Sequence, residues 1–171
     1  KDKDVAAFYM ERNYKPIWTG KSGRDRARRQ ALITAVSAAG NHGLPVNQYD
    51  PKEIKARIKA ARSADDRGAL EVYLSRTFLN YARDVQTGVL TPSRVDSEIV
   101  RKVPLRNRKA ILEVFTKSSP RGFLKKLPPQ SPEYARLMKE KIRFEKLLAS
   151  GGWGPKVPSK SLKPGQSSKS V

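Results

Sequence analysis

Between Leu70 and Val85 the residues Leu70, Leu74, Thr77, Phe78, Tyr81 and Val85 recur at intervals of three and four. That is the period of one face of an α-helix, and the run is far longer than an ordinary strand. Ser63 and Asp66, three residues apart, form an N-terminal capping pair before it, and Gly88 supplies the stop. A helix this regular needs other elements to cover its stripe. The pattern therefore predicts a central core helix with the rest of the chain packed around it.

The remaining elements are punctuated in the same way. Val5, Phe8, Tyr9 and Arg12 read as a short helix, and Pro16 makes its exit extended. Ser22 and Asp25 form a second capping pair, for a helix reaching about Ala39 with Leu32, Ala35, Val36 and Ala39 on one face. Gly40 and Gly43 end it. Asp50-Pro51-Lys52-Glu53 places an N-cap, a proline at N1 and an acid at N3 ahead of Ile54, Ile58 and Ala61. The stretch from Thr91 to Asn107 reads as irregular. Asn107 caps a helix carrying Ile111, Leu112 and Phe115, and Ser119-Pro120 opens a short one holding Phe123, Leu124 and Leu127. Ser131-Pro132 starts the last helix, where Tyr134, Leu137, Phe144 and Leu148 share a face, and Gly151-Gly152 closes it. Trp153 is expected to pack back on the fold. No stretch alternates in the manner of a strand. The expected fold is all-α, a compact multi-helix array of six or seven helices over residues 1–154, followed by an irregular, linker-like tail at 155–171 rich in Pro, Ser, Lys and Gly.

Composition narrows the chemistry. The chain has 171 residues and no cysteine, which removes disulfides, thiolate nucleophiles and Cys-based zinc sites. It has one histidine, His42, so cooperating imidazoles are excluded as well. No apolar run is long enough to span a membrane. His42 precedes the helix-stopping Gly43 and reads as a helix-end residue whose partial positive charge suits the dipole. Carboxylate pairs occur at Asp65-Asp66 and at Glu11 with its neighbours, but paired acids serve glycoside hydrolysis only across a cleft, and Asp65-Asp66 falls in a predicted first helical turn, where acids are stabilising. Arg83 and Asp84 are adjacent on the central helix, point apart and are each expected to find a separate, structural partner. No phosphate-cradling glycine motif occurs. No catalytic, cofactor or metal site is expected.

The charge is informative. With 36 Lys+Arg against 16 Asp+Glu, the formal net charge is +20, which attracts polyanions. Two clusters stand out: Lys21, Arg24, Arg26, Arg28 and Arg29, with only Asp25 among them, and Arg101, Lys102, Arg106, Arg108 and Lys109, with no intervening acid. These ten residues are the candidate polyanion-binding positions. Two readings stay open, a solvated basic surface and a face that binds an anionic polymer. A free-standing nucleic-acid-binding protein is the alternative function on this ground.

Six stretches in order resemble the helical scaffold domain of large multi-domain L,D-transpeptidases, the peptidoglycan cross-linking enzymes of Gram-negative bacteria. They are Phe8-Tyr9-Met10-Glu11-Arg12-Asn13-Tyr14-Lys15-Pro16-Ile17-Trp18; Asn41-His42-Gly43-Leu44 with Tyr49-Asp50; Phe78-Leu79-Asn80-Tyr81-Ala82-Arg83-Asp84-Val85-Gln86-Thr87-Gly88; Ser131-Pro132-Glu133-Tyr134; Gly151-Gly152-Trp153; and Leu162-Lys163-Pro164-Gly165. The resemblance implies a periplasmic location, peptidoglycan as a partner, and a tail at 155–171 that leads into a peptidoglycan-binding domain and then a catalytic domain. It also implies that the chain is non-catalytic, since the family's nucleophile is a cysteine in a Ser-x-Gly-Cys motif and no position here can carry it.

Overall fold

A computed structural model describes residues 2–100, 103–154 and Pro164. The remainder of the expected linker, and with it most of the Leu162–Gly165 motif, lies outside the described residues. Among those described, the chain is an all-α array without strands. Its helices are α1 (Asp2–Glu11), α2 (Gly23–Ser37), α3 (Pro51–Ala60), α4 (Ala64–Thr87), α5 (Pro92–Val95), α6 (Arg108–Lys117), α7 (Pro120–Lys125) and α8 (Pro132–Ala149).

The capping residues act as their positions require. Ser22 and Ser63 each accept a bond from the N3 backbone of Asp25 and Asp66, and both acids return the bond to the cap, completing two capping boxes. Asp50, Asn107 and Ser131 cap α3, α6 and α8 through their side chains. Ser119 makes no such bond, and Pro120 occupies the first turn of α7, where a missing N–H costs nothing. Two boundaries differ from expectation. The second helix stops at Ser37 and continues as a 3-10 turn, Ala39–His42, ended by Gly43 in the left-handed region at φ 72°. The stretch from Thr91, expected to be irregular throughout, contains the single helical turn α5, with Pro92 at its start.

α4 is the central element. Its predicted stripe Leu70, Leu74, Phe78, Tyr81 and Val85 is buried, with Thr77 at the margin. Burial extends further around the helix than the stripe, taking in Glu71, Ser75, Leu79 and Ala82. The largest side chains meet in one aromatic cluster. Phe78 and Phe115 of α6 stack with ring centroids 4.3 Å apart, Trp18 lies 5.3 Å from Phe115, and Phe123 of α7 closes the group at 5.4 Å from Phe115. Such contacts add about 0.5–1.5 kcal/mol each beyond the area they bury. Around this centre α2 packs on α7 and α3, and α1 on α6.

α8 departs from this pattern. No residue of α8 is buried, and the face shared by Leu137, Phe144 and Leu148 stays at the surface, with Leu137 71% and Leu148 61% exposed. Trp153 does turn back, placing its ring 5.8 Å from Phe144, but it remains 70% exposed.

Candidate functional site

The most elaborate polar arrangement is built on Glu71, which α4 projects into the core beside the segment that leaves α1. Asn13 and Tyr14 adopt left-handed backbone angles (φ 50° and 56°), which turn the chain sharply after α1 and bring residues 17–19 across α4. There Glu71 Oε1 accepts from the Ile17 and Trp18 backbone N–H groups at 2.6 and 3.0 Å and from the Tyr9 hydroxyl at 2.7 Å. Its Oε2 accepts from the backbone N–H and the hydroxyl of Thr19, both at 2.8 Å. One turn along, Ser75 Oγ accepts from the Trp18 indole N–H at 2.9 Å and shares a 2.8 Å bond with the Tyr9 hydroxyl. A buried carboxylate is tolerable only with such a full set of donors. Burial and the adjoining Glu71 charge push the Tyr9 phenol well above its ordinary pKa, so it stays a neutral donor. The hub fastens the extended segment to the central helix and has no free valence for a substrate.

The first basic cluster divides around this segment. Arg28 is only 5% exposed. Its guanidinium donates to Asp25 Oδ1 at 3.0 Å, to the Ile17 carbonyl at 3.2 Å and to the Thr116 carbonyl at 3.1 Å, near the C-terminal end of α6. Desolvation lowers its pKa and the Asp25 charge acts against that fall. Arg28 is thus an internal tie and takes no part in a surface field. Arg29 is half-buried and donates to the Trp18 and Gly20 carbonyls, while Lys21, Arg24 and Arg26 are exposed. The helix turn therefore sends neighbouring cations in opposite directions, which the run of basic residues does not reveal.

The second cluster is also rearranged. Lys109 bonds Glu11 at 2.6 Å and Glu113 at 3.3 Å, so acids from α1 and from its own helix reach it. Arg106 is exposed and Arg108 half-buried, and both line a cavity of about 280 Å³ with Asp4 and Arg83. Arg101 and Lys102 lie outside the described residues. The two clusters occupy different cavities, and no described cavity is lined by members of both.

A family model described as a scaffold domain matches residues 3–140. The chain belongs to that scaffold-domain family. No curated protein and no solved structure matches it. The match covers α1 to α7 and ends within α8.

Two further contacts in the scaffold domain correct sequence expectations. His42 ends the 3-10 turn before Gly43 as expected, but its ring is engaged by a side chain rather than left to the helix dipole. Its Nδ1 is 2.7 Å from the Tyr134 hydroxyl and its ring stacks on Tyr134, tying the 3-10 turn to α8. Burial lowers its pKa, favouring the neutral ring. Arg83 and Asp84 meet each other, contrary to expectation, although Asp84 also finds the separate partner expected of it. Arg83 folds back on Asp84 at 2.5 Å, and the Tyr49 hydroxyl donates to the second Asp84 oxygen at 2.5 Å. Adjacent Cβ atoms diverge on a helix, but an arginine is long enough to curl back to its neighbour. Asp65 and Asp66 sit in the first turn of α4, Asp66 as the capping acid. Among the described residues no group of His, Asp or Glu could hold a metal ion, and no helix is long and apolar enough to cross a membrane.

Nothing in the sequence marks Glu71 or Tyr134 as a site residue. Glu71 reads as an ordinary acid in a charged helix, because the donors that explain it are more than fifty positions away. Its lone signal is an acid one residue beyond Leu70, on the flank of the apolar stripe.

Proposed function

We propose that this chain is the non-catalytic scaffold of a periplasmic L,D-transpeptidase, the part that holds a catalytic and a peptidoglycan-binding domain in register during cell-wall cross-linking. The observation that carries the reading is the scaffold-domain match over residues 3–140, taken with the quoted stretches that resemble this enzyme family. Those stretches coincide with the contacts that hold the fold. Phe8–Trp18 contains Tyr9, Ile17 and Trp18, which bond Glu71 and Ser75. Asn41–Leu44 and Ser131–Tyr134 meet through His42 and Tyr134. In this reading the parent enzyme uses a cysteine thiolate to attack a tetrapeptide stem, forms an acyl-enzyme and passes the acyl group to an amine on a neighbouring stem. This chain, lacking cysteine, contributes position and no bond-making group.

Two measurements test it. Incubated alone with tetrapeptide-stem muropeptides, the chain should yield no cross-linked dimers, and turnover would overturn the reading. The coding sequence beyond Val171 should continue into a peptidoglycan-binding domain and then a Ser-x-Gly-Cys motif. A continuation into unrelated sequence would remove the transpeptidase assignment and leave the scaffold family standing.

A further inference from the structure

Three of the exposed or half-exposed cations converge with a fourth from another helix. A cavity of about 440 Å³ is lined by Lys21, Arg26 and Arg29 from the start of α2 and its approach, and by Arg67 from the first turns of α4. Thr19 and Gly20 form part of its wall, and Ile58 and Leu70 contribute apolar surface. No acid lines it. The nearby acids are committed elsewhere: Asp25 to Ser22 and Arg28, Asp66 to the cap of α4, and Glu71 to the backbone of residues 17–19. Two of the guanidiniums are already held in place. Arg29 Nη1 donates to the Trp18 and Gly20 carbonyls, and Arg67 Nη1 donates to the Arg62 carbonyl at 2.6 Å. Each keeps Nε and Nη2 as further donors. Pinned guanidinium forks lose little entropy when they close on an oxyanion.

We propose that this cavity binds a phosphomonoester group carried on a body that rests against Ile58 and Leu70. Against the four cations stand the carboxylates of Glu71 and Asp66, which are bonded to neutral groups, while Asp25 is balanced by Arg28, so the site keeps more positive charge than one further carboxylate would balance. A phosphomonoester brings a charge of about −1.5 to −2 near neutral pH and three acceptor oxygens for the forks. The site is independent of the transpeptidase reading, since it rests on the residues that line this one cavity and on no other domain.

The experiment is an NMR titration of the full chain at constant ionic strength with inorganic phosphate, phenyl phosphate and acetate. Phosphate and phenyl phosphate should give saturable shifts at Thr19, Gly20 and the Arg67 side chain, with phenyl phosphate the tighter, and acetate should give none. Affinity for phenyl phosphate should rise between pH 5.5 and 7.5, as a phosphomonoester loses its second proton with a pKa of about 6. Arg67→Gln and, separately, Lys21→Gln should each weaken phosphate binding about tenfold. Arg143→Gln, remote on α8, should leave it unchanged. Lys21 makes no side-chain bond among the described residues, so its variant keeps the test valid if Arg67→Gln perturbs the helix start. Phosphatidylcholine vesicles doped with phosphatidic acid separate the sources: retention abolished by Arg67→Gln supports a lipid-borne phosphate, and phenyl phosphate binding without retention supports a soluble one. Equal binding of acetate, unsaturable shifts, or equal losses from Arg143→Gln would overturn the proposal.

Discussion

Glu71 is one acid in the middle of a helix, yet its carboxylate receives the N–H groups of Ile17, Trp18 and Thr19 and the hydroxyls of Tyr9 and Thr19. Replacing it with Leu leaves several buried donors without acceptors, each costing about 1–3 kcal/mol. Glu71→Leu is therefore expected to lose about 3 kcal/mol or more in a urea titration, and Glu71→Gln less, because one acceptor oxygen remains. A loss below about 1 kcal/mol in the Leu variant would mean that water replaces the carboxylate. Gly20 supplies a second case. A Cβ there would stand 2.3 Å from Asp25 Oδ2, and that carboxylate is fixed by Ser22 and Arg28. Gly20→Ala should cost about 1–3 kcal/mol by displacing the capping box, read as a lowered melting temperature, whereas Gly68→Ala, with open space around it, should not destabilise. Neither effect was legible in the sequence. Residue chemistry announces itself locally when its partner is three or four positions away, as for Ser22 with Asp25. It stays silent when the partner arrives from a distant segment.

At the scale of elements the sequence is much more transparent. Caps at Ser22, Asp50, Ser63, Asn107 and Ser131 and the α4 stripe follow from local hydrogen bonding and helical period, and both survive into the structure. α8 shows where period stops being informative. Its apolar spacing is as good as that of its neighbours, but whether a face is buried depends on what lies opposite, and none of the described residues buries Leu137 or Leu148. A helix with no buried residue should open locally before the domain unfolds. Amide exchange is expected to be fastest, among the long helices, in α8, and Tyr134→Phe should accelerate it further while leaving α4 protected. Because His42 is the chain's one histidine, its titration can be isolated. Its folded pKa lies below the ordinary 6.5, so the unfolded chain takes up the proton first. Its contribution to stability is complete above about 6.5 and declines as the pH falls through the folded pKa. The urea midpoint should drop from pH 7.5 to 5.5 in the wild type and drop less in His42→Gln. An identical drop in both would assign the change to other groups. Arg121 and Lys125 share the groove with His42 and Tyr134, and Lys141, paired with Glu145, approaches Gly43, so a newly charged imidazole there would meet lining cations and, among the described residues, no lining acid.

The whole molecule carries a formal charge of +20, and apart from Lys109 with Glu11 the surface ion pairs named among the described residues are local: Arg57 with Glu53, Arg136 with Glu133, Lys141 with Glu145, Arg143 with Glu140. Pairs of this kind contribute about 0–1 kcal/mol each. They cannot offset the mutual repulsion of the unpaired cations, which extends over the molecule and acts against the compact state. Salt screens that repulsion over about 10 Å at 0.1 M. Two responses of opposite sign should therefore come from one cause. Raising sodium chloride from about 20 to 300 mM should raise the melting temperature, since repulsion among unpaired cations outweighs the local pairs being screened. Over the same range, binding to isolated sacculi and to nucleic acid should fall together, since both are then general attraction to a basic surface. Charge reversal at Arg24 or at Arg106, both exposed, should weaken the two kinds of binding by similar small factors. Reversal at Arg28 is a different experiment, because that side chain is inside and its loss would unfold the tie to α6 before it altered the surface. A melting temperature that fell with salt would show ion pairs outweighing repulsion. Retention on sacculi at high salt, with nucleic acid released, would show a specific wall contact on the scaffold, distinct from its charge. Retention on a defined nucleic acid instead, with preference over random sequence, would favour a nucleic-acid-binding protein over the scaffold of a wall enzyme.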